Sequence, residues 1–265
     1  MPSDVIKALF LGDVIGQSGS RALFVHLPTL RKEYGADFVV VNCENAEKGF
    51  GITPETANRL FATGVDVLTS GNHIWQKRDI IDMLQTDDRF LRPANYPGEV
   101  PGKGYGVFPC KSGKFGVVNL QGRVRLSNVS CPFRAGRDIL KEIRKETNCI
   151  LIDFHAEDPE EKEALAWYLD GKMSLLVGTH THVQTADERI LPKGSAYITD
   201  AGMVGPKNSV IGFDPETAIR RSLTQMPLKM LVSEEPAVIE GVFVEIDSES
   251  GRALSIERVR KHSDI

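Results

Sequence analysis

Residues able to ligate a divalent cation stand directly after runs of apolar residues in this chain. Asp13 follows ALFLG, Glu44 and Asn45 follow VVVNC, and Asn72 with His73 follows VDVLTSG. Farther on, His155 follows CILIDF, and His180 and His182 follow SLLVGT. Carboxylate, amide oxygen and imidazole suit manganese, iron, zinc or magnesium, and no cysteine is required. A carboxylate shared by two cations ~3.5–4 Å apart is the usual device for activating water and supporting in-line displacement at phosphorus. Glu44 is the candidate bridge: a hydroxide held by the two ions would attack phosphorus, while His73 protonates the leaving oxygen.

Each residue alone has an ordinary explanation. Asp13 could be a turn residue, Asn72 and His73 a helix cap with a surface imidazole, and His155 a satisfied core histidine. An extended His180-Thr181-His182 would put both imidazoles on one side, and its place directly after a buried strand favours metal over accident. One shared site accounts for all of them, where coincidence would have to recur at every run. His26 and His262 follow no such run and are expected to be structural or exposed. GDVIGQSG has neither the G-x-G-x-x-G spacing nor the Lys-Ser/Thr of a P-loop, so Gly16 and Gly19 are expected to shape the turn around the site.

The elements that must position these residues alternate. Val5–Leu11, Phe38–Val41 and Val65–Leu68 read as strands, separated by helical stretches over Arg21–Tyr34 and Pro54–Thr63 that stop at Gly35 and Gly64. Thr53 before Pro54 and Glu55 predicts an N-cap with proline at the first helical position. This order argues for βαβ units and a parallel sheet, in which functional groups collect beyond the carboxyl ends of the strands. After a Pro- and Gly-rich loop from Arg92, the chain predicts a hairpin of Gly106–Phe108 and Phe115–Leu120. A helix over Arg137–Thr147, a strand over Cys149–Phe154, a helix over Pro159–Leu169 and a strand over Leu175–Val177 follow. Val238–Ile246 and Ala253–Arg260 flank the polar turn Asp247–Arg252 as a second hairpin. No repeat or linker divides the chain, so one domain over residues 1–265 is expected.

A length of 265 residues, 41% hydrophobic and 26% charged, excludes a disordered chain and supports a sizeable core. The net charge of −4 argues against a broadly basic nucleic-acid surface, though not against binding a nucleotide or an RNA end. No apolar run approaches a membrane span, and the N-terminal run is too short for a signal peptide. The cytoplasm is the expected compartment, with Cys43, Cys110, Cys131 and Cys149 reduced.

GD at 12–13, GNH at 71–73, the single His155 and the closing His180-Thr181-His182 resemble the calcineurin-like metallophosphoesterase signature. Longer strings resemble its YmdB-like branch: LGDVIGQSG, NCENAEKGFGIT, LTSGNHIWQK, DFHAE, GTHTHVQTAD and YITDAGMVG. The resemblance spans Ile6 to Ile211 and implies a four-layer α/β/β/α sandwich with a dinuclear site. It implies that Asp13, Glu44, Asn45 and His182 surround one ion and that Glu44, Asn72, His155 and His180 surround the other, with His73 as acid. The implied substrates are 2′,3′-cyclic nucleotides opened to 3′-nucleotides, and the implied metal is iron or manganese ahead of magnesium or zinc. The wider superfamily opens on Asp-x-His and supplies an aspartate in its second motif. Here Asp13-Val14-Ile15 lacks the imidazole and Asn42-Cys43-Glu44-Asn45 carries a glutamate, changes that the closer branch shares.

Arg123, two residues beyond the run VVNLQ, is a candidate phosphate clamp, with a solvated loop charge as the alternative. Phe133 could stack on a base or fill the core. A regulatory protein binding a nucleotide or RNA end, and a phosphomonoesterase, are the competing functions. A homo-oligomer is the expected state, with the C-terminal hairpin as a candidate edge.

Overall fold

The computed structural model describes residues 4–264. Along the chain run β1 (Val5–Leu11), β2 (Asp13–Val14), α1 (Gly16–Tyr34), β3 (Phe38–Asn42), α2 (Pro54–Thr63), β4 (Val67–Thr69) and α3 (Ile80–Thr86). Next come β5 (Tyr105–Cys110), β6 (Gly113–Gln121), α4 (Pro132–Ile143), β7 (Ile150–His155), α5 (Pro159–Leu169), β8 (Leu175–Thr179), β9 (Arg189–Ile190) and β10 (Ala196–Ile198). The series closes with β11 (Met203–Pro206), α6 (Pro215–Thr224), β12 (Ala237–Asp247) and β13 (Ala253–His262).

Two sheets result. The first has the order β2-β11-β12-β1-β3-β4 with β13 added to β12, and β1, β3 and β4 run parallel. The second has the order β5-β6-β7-β8-β10-β9, with β6, β7, β8 and β10 parallel. Strand alternation sorts the apolar side chains of β1 into two packed clusters. Leu9 and Leu11 join residues of α1, α2 and α3, whereas Ile6, Ala8 and Phe10 meet Phe115, Leu151 and Val177 of the second sheet. A third cluster joins that sheet, through Leu120, Ile152 and Phe154, to Leu140 of α4 and Leu165 of α5.

Local sequence accounts for many boundaries. The Thr53 side chain accepts a bond from the Thr56 N–H, Pro54 opens α2, and Gly64 closes it in the left-handed region. Both predicted hairpins form, β5 with β6 and β12 with β13. Three expectations need correction. The helix placed at Arg137–Thr147 occupies Pro132–Ile143, because Pro132 starts it at the first-turn position. The helix placed at Arg21 begins at Gly16, where the Gly16 N–H is bonded to the Asn45 carbonyl at 2.9 Å. Gly19 therefore lies inside α1 rather than in the turn. A Cβ there would fall 2.0 Å from the Val204 carbonyl oxygen, so glycine lets α1 lie directly on β11.

Candidate metal centre

Parallel register brings the ends of β3, β4, β7 and β8 together. Asn42 pairs with Thr69 across β3 and β4, and His155 lies between Gln121 and Thr179 in the second sheet. The segments beyond these ends carry the candidate ligands. Glu44, Asp13 and His155 are fully buried, Asn45 and His182 nearly so, and His73 keeps 23% of its side chain exposed.

Glu44 sits at the centre. Its Oε1 lies 3.0 Å from His155 Nε2, 3.3 Å from His73 Nδ1 and 3.3 Å from Asn45 Nδ2. His155 Nε2 also lies 3.1 Å from Asn72 Oδ1 and 3.0 Å from His180 Nδ1. Glu44, His155 and His180 thus present ligand atoms within 4.8 Å of one another. On the other side, Asn45 Nδ2 lies 3.0 Å from His182 Nε2, while Asn45 Oδ1 lies 2.8 Å from His73 Nδ1. Asp13 Oδ2 accepts the His180 N–H at 3.0 Å, and its Oδ1 is buried without a hydrogen-bond partner among the described residues.

Each imidazole turns one nitrogen inward and ties the other down. His155 Nδ1 meets Thr179 Oγ1 at 2.9 Å, His182 Nδ1 meets the Ile211 carbonyl at 2.9 Å, and His180 Nε2 meets Glu157 at 3.2 Å. Outer partners of this kind fix which nitrogen a metal ligand offers. Thr179 in turn donates to Asp153, a buried carboxylate that also accepts from Thr69 and Asn42. His180 and His182 are not extended, which corrects the sequence expectation. Their φ values are 102° and 64°, so the imidazoles reach the cluster from a twisted backbone rather than from one face of a strand.

The electrostatics call for positive charge. Burial, reinforced by Glu44 and Asp200, drives the Asp13 carboxyl well above its ordinary range. Burial also works to raise Glu44, but His155 and His73 outweigh it and hold that group well below the carboxylate range. Against its own burial, His155 is lifted to about 9 by Glu44 and Asp13. His180, by contrast, is pushed down to about 3 by burial and by the charge on His155. Burial lowers His182 as well. The neutral imidazoles of His180 and His182, beside buried carboxylates and a His155 that those carboxylates hold in its charged form, mark a place where positive charge is favoured. Gly71 leaves the room: a Cβ there would lie 2.1 Å from Glu44 Oε2 and 2.4 Å from His155 Nε2.

A family model for YmdB-like proteins matches residues 9–259. The chain is also 43% identical over 259 residues to a Bacillus subtilis (strain 168) protein named 2′,3′-cyclic-nucleotide 2′-phosphodiesterase, covering 98% of both. The chain belongs to the YmdB-like family. Two solved structures carry the likeness through the backbone. A Mycoplasma pneumoniae protein described as a novel phosphatase superposes with a TM-score of 0.92 at 35% identity, covering 99% of this chain and 95% of that one. A hypothetical protein from Thermus thermophilus gives 0.91 at 36%, covering 97% and 100%.

Among the sequence candidates, Arg123 stands apart from the YmdB-like cluster. Its side chain is exposed, and its N–H donates to Glu161 at 3.0 Å. Phe133 packs against the third apolar cluster, 5.7 Å from the Tyr168 ring. His26 meets Ser263 Oγ at 3.1 Å, and His262 is exposed. Sequence reasoning passed over Asn42, Asp153, Glu157 and Asn119, whose Oδ1 accepts the N–H of Ser70, just before Gly71, at 3.0 Å. Asn42, Asn119 and Asp153 carry a signal, a polar residue inside an apolar run. Glu157 carries none.

Proposed function

We propose that this chain is a metal-dependent phosphodiesterase that opens 2′,3′-cyclic nucleotides to 3′-nucleotides at the cluster around Glu44. One observation supports this most directly: a buried carboxylate lies between imidazoles from both sheets, with a partly exposed histidine, His73, at its edge. Asp13, Glu44, Asn45 and His182 would hold one ion, and Glu44, Asn72, His155 and His180 a second, with Glu44 shared. Iron or manganese suits this mixture of oxygen and nitrogen donors better than magnesium. When bound, the ions supply a nucleophile from water near neutral pH and offset charge developing on the phosphate oxygens.

The protein residues do the rest. Asn45 Oδ1 holds His73 Nδ1 at 2.8 Å, which directs the opposite nitrogen, Nε2, toward substrate as the proton donor to the leaving ribose oxygen. Thr179 and Ile211 keep His155 and His182 from rotating out of place. Arg123 is at most a clamp that reaches phosphate once substrate is bound. The fold reading that goes with this activity is a single four-layer α/β/β/α domain. It is supported by an apolar cluster shared between the sheets and by helices packed on each one.

The test is hydrolysis of 2′,3′-cAMP and bis-p-nitrophenyl phosphate by metal-loaded protein, with metal content measured alongside. His73→Ala should keep its metals and lose about 10²–10⁴ in turnover, whereas Asp13→Ala should lose both. Metal-loaded wild type without activity on either ester would overturn the assignment. Faster release of phosphate from 3′-AMP than opening of 2′,3′-cAMP would replace it with a phosphomonoesterase.

A further inference from the structure

The region beside His73 carries an aromatic surface that the metal cluster does not use. Phe50 is 38% exposed, and its ring meets the His73 imidazole edge-on, with centroids 5.0 Å apart. Phe213 stands behind it at 6.3 Å, tilted by 35°. Close to Phe213 in the chain, Ile211 is 44% exposed and accepts the His182 bond through its carbonyl. The loop that presents Phe50 is held by backbone bonds, from Gly51 N–H to the Glu44 carbonyl at 2.6 Å and from Phe50 N–H to the Glu47 carbonyl at 3.0 Å. The backbone that carries the ring is therefore held relative to Glu44 before any ligand arrives, which lowers the cost of ordering on binding.

We infer that Phe50, backed by Phe213, is a stacking platform for the nucleobase of the substrate. The inference rests on the cyclic-nucleotide reading above and adds the residue that reads the base. Covalent geometry carries it. The acid protonates the 2′-oxygen, which sits on C2′, and the base hangs from the adjacent carbon C1′. A base whose 2′-oxygen is at His73 must therefore lie within a few ångströms of that imidazole, and Phe50 is the exposed aromatic ring found there. Trp75 and Tyr96 contact each other, with ring centroids 5.5 Å apart, and pack against the first apolar cluster. Phe133, the earlier candidate for stacking, is engaged with Tyr168. Stacking on a phenyl face tolerates every base, so the platform confers preference for nucleosides over other cyclic esters without selecting among bases.

The experiment compares 2′,3′-cAMP with glycerol 1,2-cyclic phosphate, which has the same reacting group type and no base. The ratio of their kcat/KM values should fall about tenfold or more in Phe50→Ala and persist in Phe50→Trp, with metal content measured for each protein. A ratio that stays constant in Phe50→Ala, because both substrates suffer alike, overturns the platform and leaves Phe50 as a prop for His73. If wild type opens neither ester, the catalytic reading fails, and binding decides the platform on its own. In that case 3′-AMP should bind about tenfold more weakly to Phe50→Ala, while inorganic phosphate loses less. Equal losses for 3′-AMP and phosphate overturn it.

Discussion

Lys162 Nζ lies 2.8 Å from Asp200 Oδ2, and neither side chain is exposed at all. The same carboxylate oxygen accepts the Thr181 N–H at 3.1 Å and the Thr181 hydroxyl at 2.9 Å, and Oδ1 accepts the Gly202 N–H at 2.9 Å. Thr181 separates the two histidines that face the cluster, so a charge on α5 fixes the segment that delivers them. Removing one member of a buried pair strands the other. Lys162→Ala should therefore cost about 3–5 kcal/mol in urea unfolding, and Lys162→Met combined with Asp200→Asn should recover part of it.

Glu157 holds the outward nitrogen of His180 at 3.2 Å while 40% of its own side chain faces solvent. Glu157→Ala should weaken metal binding by about tenfold, the lower end for such outer partners, with little change in unfolding free energy. Calorimetric titration of the metal-stripped protein with manganese measures it. An unchanged affinity would mean that the backbone alone orients His180.

Gly71 is a position where an added methyl group would meet the candidate ligands themselves. The added carbon would occupy the space between Glu44 and His155, displacing ligand atoms rather than flexible surface groups. Gly71→Ala should be recovered as folded protein with metal content well below that of wild type. Elemental analysis beside circular dichroism separates loss of metal from loss of fold.

The thiols should divide by depth. Cys43 and Cys149 are buried, and Cys110 and Cys131 are partly open. Burial, with a contribution from Cys110, lifts the Cys149 thiol to about 11, so it remains protonated through about pH 8 and forms thiolate only as pH rises toward that value. Cys43 is pushed up as well, by burial and by the neighbouring Glu44. Mass spectrometry of iodoacetamide-treated native protein at about pH 8 should find Cys110 and Cys131 modified well before Cys43 and Cys149.

Where strong local signals agree with tertiary packing, the sequence reads correctly. Val5–Leu11, Pro54–Thr63 and Pro159–Leu169 match their elements to the residue. The candidate ligands from five separate strand ends do meet in space, because parallel register aligns those ends. Elsewhere the deciding force is remote. Gly-Gln-Ser-Gly-Ser is a poor helical start on its own, yet α1 begins there because Asn45 and β11 receive it. The short strands β2 and β11 pair with each other across a long stretch of chain and show no period of their own. Lys162, Asp200 and Glu157 are ordinary charges in sequence, and only the closing of the second sheet against the His180 segment gives them a role.

The left-handed backbone at His180 and His182 sets this chain against itself. Each non-glycine residue held there gives up about 1–3 kcal/mol, and both occur within the same short segment. Selecting variants for heat resistance alone would therefore drift toward glycine or asparagine at 180 and 182, yielding sturdier proteins without the two imidazoles proposed as metal ligands. Under the proposed ligand set, durability and activity compete at these two residues, and a programme to toughen the enzyme should leave them untouched.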